Sequence, residues 1–141
     1  MKKLLSLVLI NLFFLTAYCQ VGETPKPVAP YSQSRMTSAG ILFISGQIPL
    51  DPATDQLLKG DIRRETEQVM KNIVAILKTN NMDLTNVVKC TVFLTDMDDF
   101  KDMNEVYAGF FPDKVFPARE AIEVVKLPLG ANIEISAVAS R

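Results

Sequence analysis

The chain has 141 residues, with 15 Lys+Arg against 16 Asp+Glu, a formal net charge of −1, and no histidine. A mildly acidic chain without a basic run offers no electrostatic footprint for nucleic acid. The missing histidine removes Ser-His-Asp and Cys-His nucleophile systems, His-ligated zinc and H-E-x-x-H chemistry.

Lys2 and Lys3 precede an almost wholly apolar run from Leu4 to Thr16, followed by Ala17-Tyr18-Cys19 and Gln20. This is the pattern of a secretory signal peptide over residues 1–19, and it predicts export to a periplasmic or secreted location. The run is short for a spanning helix, which takes about 20 apolar residues, so no membrane association is expected once the signal is removed. An uncleaved anchor and a lipid-modified Cys19 are the alternatives, and bulky Tyr18 argues against the second. Cleavage takes Cys19 away and leaves Cys90 as the only thiol, so the fold must hold by packing rather than by a disulfide. About 120 residues remain, enough for one domain with one core.

Residues 20–29, rich in Pro and small side chains, read as an extended leader to a domain over 30–141. Gly40 to Pro49 is a strand candidate by alternation, and Asp51-Pro52-Ala53-Thr54 a turn. From Asp61, a plausible N-cap, the spacing of Ile62, Val69, Ile73, Ile76 and Leu77 predicts a helix ending near Asn80-Asn81. Val87 to Leu94 alternates as a strand, with Val88, Cys90, Val92 and Leu94 expected on one side. Asp99 is expected to cap a second helix whose apolar face is Phe100, Met103, Tyr107, Phe110 and Phe111, stopped by Pro112. Two further strands, Ala118 to Val125 and Ile133 to Ala139, flank a turn at Leu127-Pro128-Leu129-Gly130. The fold class is therefore α+β. Two amphipathic helices cover one face of a sheet this size, and the simplest cover for the other is a second copy of the chain, so a homo-oligomer is expected.

Five side chains or backbone positions invite a chemical reading. Arg119, after Pro117-Ala118, could hold a planar carboxylate through two parallel hydrogen bonds, although on residue type alone a surface ion pair is commoner. Glu134 lies inside the apolar stretch Ile133–Ala139, on the side opposite Ile133, Ile135 and Ala137; it is either exposed, paired or held for proton transfer. Tyr31, Gly46 and Asn104 have everyday readings as packing, a turn glycine and a solvent-facing amide. Asp96, Asp98, Asp99 and Asp102 lack the glycine and terminal glutamate of a calcium loop, and helix capping explains them. Cys90 reads as a small core hydrophobe, and Ser45 has no histidine to activate it.

With these residues assembled, the chain resembles the RidA (YjgF) family of enamine/imine deaminases from Pro30 to Ala139. The segments that carry the resemblance are PYSQ at 30–33, ISGQIPLDP at 44–52, TVFLTDMDDF at 91–100, NEVYAGFF at 104–111 and FPAREAIEVVKLPLGANIEISAVA at 116–139. The resemblance implies a mixed β-sheet with two helices packed on one face, chorismate-mutase-like, assembled as a homotrimer with sites between subunits. It implies hydrolysis of 2-imino and 2-enamino acids to 2-keto acids and ammonia, with no metal or organic cofactor. By motif position, Arg119 would grip the substrate carboxylate and Glu134 would position or deprotonate the attacking water. Tyr31, Gly46, Asn104 and the backbone at Ala121 would complete the substrate pocket. Family members often carry cysteine where this chain has Ala121, and a second glutamate where it has Ser136. A non-catalytic trimer that binds small carboxylates or a protein partner is the alternative. An endoribonuclease-like activity, suggested for some relatives, is disfavoured by the acidic balance and the absence of histidine.

Overall fold

A computed structural model describes residues 24–141; the signal-peptide assignment at 1–19 and the start of the leader lie outside them. Residues 24–29, the remainder of the leader, form no helix or strand. No helix among the described residues is long and apolar enough to cross a membrane.

Seven strands and two α-helices follow in the order β1 (Ser34–Met36), β2 (Ile41–Gln47), β3 (Leu50–Asp51), β4 (Gln56–Leu57), α1 (Ile62–Thr79), β5 (Val87–Leu94), α2 (Phe100–Gly109), β6 (Ala118–Glu123) and β7 (Ile133–Ser140). Five strands make one sheet in the order β1-β2-β7-β5-β6, and β3 and β4 form a separate hairpin. Only β5 and β6 run parallel, and the other pairs are antiparallel, so the sheet is mixed. A parallel pair needs a long crossover, and α2 lies in that connection.

The periodicities place the core on one face. Helix α1 starts at Asp61, whose side chain accepts hydrogen bonds from the backbone N–H groups of Arg63 and Arg64, and ends at Asn80. Its Val69, Met70, Ile73, Ile76 and Leu77 pack with Met103, Tyr107 and Phe111 around α2 against Leu42, Ile44, Cys90, Val92, Leu94, Ile133 and Ile135 of the sheet. Each such large aliphatic side chain contributes about 1.5–3 kcal/mol on burial. Both helices therefore cover the same face. The opposite face keeps Phe43, Val88 and Ile122 at 50%, 50% and 43% exposure.

Three local expectations are corrected. Val88 is not on the buried side, because the β5–β7 register shifts between Val87 and Lys89 and the bulge reverses the alternation. Asp99 makes no side-chain cap; Asp96 accepts from the N–H of Asp98 and caps the short 3₁₀ turn Met97–Asp99 that leads into α2. The second helix ends at Gly109, capped by Phe110, before Pro112 is reached.

Two buried polar side chains tie the scaffold to the loops that carry the site. Asn72 of α1 donates its amide to the carbonyls of Ile48 (3.2 Å) and Leu50 (2.9 Å), directly after β2. Glu65, fully buried, accepts from the N–H of Gly60 (2.8 Å) and from the side-chain and backbone N–H groups of Asn132 (2.9 and 3.3 Å). Asn132 immediately precedes β7, so this carboxylate holds the entry to the strand that bears Glu134.

Candidate functional site

All the predicted site residues but Ala121 fall into two separate cavities. The first surrounds Arg119, which is half-buried on edge strand β6 and faces α2. Its guanidinium donates to Oδ1 of Asn104 at 2.5 Å, lies 3.9 Å from the sulfur of Met103, and sits over the rings of Tyr107 (4.6 Å) and Phe100 (5.8 Å). Phe100, Met103, Asn104 and Tyr107 recur at three- and four-residue intervals, so one face of α2 forms the cradle. Among the described residues no carboxylate pairs with Arg119. The surface ion-pair reading therefore gives way to a guanidinium held by neutral groups beside a cavity of about 420 Å³, lined by Asn104, Tyr107, Ala108, Phe116, Pro117 and Arg119. A fixed cation without a resident anion is suited to an anionic ligand.

Beneath the arginine, Cys90 is directly opposite it in the β5–β6 pairing and is buried. Burial raises the thiol pKa above its ordinary value, opposed by Tyr107 and Arg119. A neutral, buried thiol matches the packing role read from its strand position.

The second cavity, about 280 Å³, lies around Glu134 and is lined by Val28, Ala29, Tyr31, Ser45, Gly46, Ile48, Pro128 and Glu134. It depends on a bulge in β2: Ile44 pairs with Ala137, but Gln47 pairs with Ile135, leaving an extra residue at Ser45-Gly46. Gln47 donates its side-chain amide back to the Ser45 carbonyl (3.0 Å) and so holds the bulge. The Glu134 side chain lies against Gly46: a Cβ there would come within 1.7 Å of its Oε1, so only glycine admits this close approach. The N–H of Ser45 donates to Gln33 and its hydroxyl to Ser32 (2.9 and 2.7 Å), which brings the segment bearing Tyr31 to the cavity. Burial raises the pKa of Glu134 above the ordinary carboxylate value, which moves it toward the range useful for proton transfer.

Tyr31, Gly46 and Glu134 are thus brought together, and Arg119 and Asn104 are brought together elsewhere. Arg119 and Glu134 do not meet within one chain: β5 lies between β6 and β7, and the two side chains project from opposite faces. Ala121 lines neither cavity; its side chain packs against the core on the same face as Arg119. The outer edge of β6 has no partner strand among the described residues, so its outward backbone groups are free to meet a ligand or another chain. Tyr107 and Phe116 were not singled out as site residues by their sequence, since an aromatic at helical spacing reads first as core. The signal that would have found Tyr107 is its place one turn beyond Met103 and Asn104, on the face turned to Arg119.

The family model described as Endoribonuclease L-PSP matches residues 21–141. A RutC family protein of Pyrococcus horikoshii is 51% identical over 117 residues, covering 83% of this chain and 91% of the relative. The human protein named 2-iminobutanoate/2-iminopropanoate deaminase is 46% identical over 118 residues, covering 84% of this chain and 85% of its own length. Among solved structures, Escherichia coli TdcF with bound serine superposes with a TM-score of 0.79 at 33% identity, covering 84% of this chain and 94% of that one.

Proposed function

The chain belongs to the Endoribonuclease L-PSP (YjgF/RidA) family, and we propose that within it this protein hydrolyses 2-imino and 2-enamino acids to 2-keto acids and ammonia. The observation that carries the proposal is Arg119: a preorganised guanidinium without a carboxylate partner among the described residues, opening on a cavity of small-molecule size. The name of the human relative and the serine bound to TdcF point to the same ligand chemistry, a small α-substituted carboxylate.

The working site is composite. Arg119 and Asn104 of one subunit meet Tyr31, Gly46 and Glu134 of a neighbour in a homotrimer, because one chain holds these groups on opposite faces of its sheet. The apolar residues Phe43, Val88 and Ile122 on the uncovered face supply surface for that assembly. The arginine fork binds the substrate carboxylate and fixes the adjacent C2 carbon. Water adds through oxygen to C2 of the protonated imine, its proton passing to Glu134. Glu134 returns that proton to the nitrogen of the resulting carbinolamine, the C2–N bond breaks to release ammonia, and the C2 hydroxyl gives its proton to the departing ammonia as the C2–O bond becomes the keto group. An enamine first takes a proton from solvent at its β-carbon and becomes the protonated imine. A protonated imine is already electrophilic, so orientation and one proton acceptor suffice. Residues 1–19 extend the proposal to an exported, periplasmic or secreted protein, which N-terminal sequencing of the protein isolated from its host tests.

The activity test generates 2-aminoacrylate in situ with a serine dehydratase and follows pyruvate. Acceleration by the wild type that Arg119→Ala abolishes supports the deaminase. Carboxylate binding without acceleration supports a non-catalytic binding module instead.

A further inference from the structure

Tyr107 is buried at 3% exposure, and its hydroxyl, beside the Cys90 thiol, makes no well-aligned hydrogen bond among the described residues. Burial raises its pKa well above the ordinary phenol value, so the phenol stays neutral and takes no part in proton transfer. A core position could be filled by any aliphatic side chain of similar volume, yet the ring is turned to face the Arg119 guanidinium at 4.6 Å and is backed by Phe111 with ring centroids 5.1 Å apart. Phe111 is in turn met edge-on by Phe116, which lines the arginine cavity. The ring therefore has a fixed plane, and the guanidinium carbon lies over its face.

Arginine has four rotatable side-chain bonds, and Arg119 is on an edge strand with no acid among the described residues to pin it. Two of its contacts restrain its plane most directly: the hydrogen bond to Asn104, which fixes one nitrogen, and the Tyr107 ring, which limits the tilt; the Phe100 ring lies farther off at 5.8 Å, and the Met103 sulfur, 3.9 Å from the other nitrogen, is a weak acceptor. A single hydrogen bond leaves rotation about its own axis, and a stacked ring removes it. Bidentate carboxylate recognition requires that tilt.

We propose that Tyr107 is a positioning residue for carboxylate recognition, acting through Arg119 by the face of its ring and not by its hydroxyl. This rests on the reading of Arg119 as the carboxylate receptor and names a residue on which that receptor depends.

The test compares wild type, Tyr107→Phe and Tyr107→Leu as full assemblies, in imine hydrolysis, in pyruvate titration and in the NMR signals of the arginine side-chain N–H groups. Arg119→Lys identifies the Arg119 signal. Ring stacking places that signal upfield of the other arginines in wild type and in Tyr107→Phe. Tyr107→Leu raises KM and the pyruvate Kd about tenfold with a smaller change in kcat, and Tyr107→Phe restores both to within about twofold of wild type. A KM and Kd for Tyr107→Leu within twofold of wild type would overturn the proposal. So would an Arg119 signal in wild type at the position of an unstacked arginine, a result that stands even if Tyr107→Leu does not fold. If wild type hydrolyses no imine, the deaminase reading falls alone, and the tyrosine's role is decided by the pyruvate Kd values and the Arg119 signal.

Discussion

Arg119 and Glu134 stand on opposite faces of one sheet, on strands separated by β5: Arg119 is paired with Cys90, and Glu134 with Phe93, three residues along the same strand. Side chains an odd number of residues apart on a strand point to opposite sides. The two groups that the proposed chemistry needs together are thus kept apart by the geometry of a single chain, each in its own cavity.

The charge on Arg119 is only part of its role. Arg119→Lys keeps the cation but loses the planar fork and the stacking on Tyr107, so it is expected to weaken pyruvate binding at least about tenfold. Isothermal titration checks this, and the far-UV spectrum should be unchanged.

Glu134 must be ionised to accept a proton from water, and burial holds its pKa above the ordinary 4.5. Activity, measured as kcat/KM, should therefore fall as pH drops through that raised value, with an acid limb displaced upward from the ordinary carboxylate range. The stability sign is the reverse. A folded pKa raised above the unfolded one gives stability that is present below the unfolded pKa and lost as pH rises through the folded value. Glu134→Gln should accordingly lower kcat by about 10²–10⁴ while the melting temperature at neutral pH holds or rises.

Gly46→Ala places a methyl group where the Glu134 carboxylate lies. The carboxylate has to swing away, and a displacement of about 1 Å at a reacting group can cost about 10²-fold in rate. The expected result is a loss of that order in kcat/KM, with pyruvate binding weakened far less, since Arg119 and not Glu134 holds the carboxylate.

Glu65→Ala removes the acceptor for Gly60 and for both N–H groups of Asn132. Buried donors left without partners, together with the cavity, should lower stability by roughly 2–4 kcal/mol. Urea denaturation monitored by circular dichroism measures this, and Glu65→Gln, which keeps one acceptor, should lose less.

Much of this architecture was legible in the sequence, for a physical reason. The spacing from Ile62 to Leu77 and the Asp61 cap define α1 locally, and the alternation in β2, β5 and β7 marks which side faces the helices. Bulges were not legible. The one at Val88 reverses an inferred face, and the one at Ser45-Gly46 shapes the Glu134 cavity, yet both arise from pairing with β7, far along the chain. The cap before α2 was misplaced because four acids crowd residues 96–102 and only geometry shows which one bonds. Short β1 was missed because three residues carry no periodicity. At the site, the residue types of Arg119 and Glu134 were readable, but their separation by β5 follows from strand order, which the chain order of elements does not reveal. Tyr107 was hidden by being aromatic at core spacing.

The composite-site claim is tested most directly by subunit mixing. Arg119→Ala and Glu134→Gln, each inactive alone, are unfolded together in equal amounts, refolded, and assayed for pyruvate formation from 2-aminoacrylate. If each cleft draws Arg119 from one subunit and Glu134 from another, random assembly leaves about a quarter of the clefts intact, and about a quarter of the wild-type rate returns. A mixture as inactive as its parents, with assembly confirmed, would contradict the account.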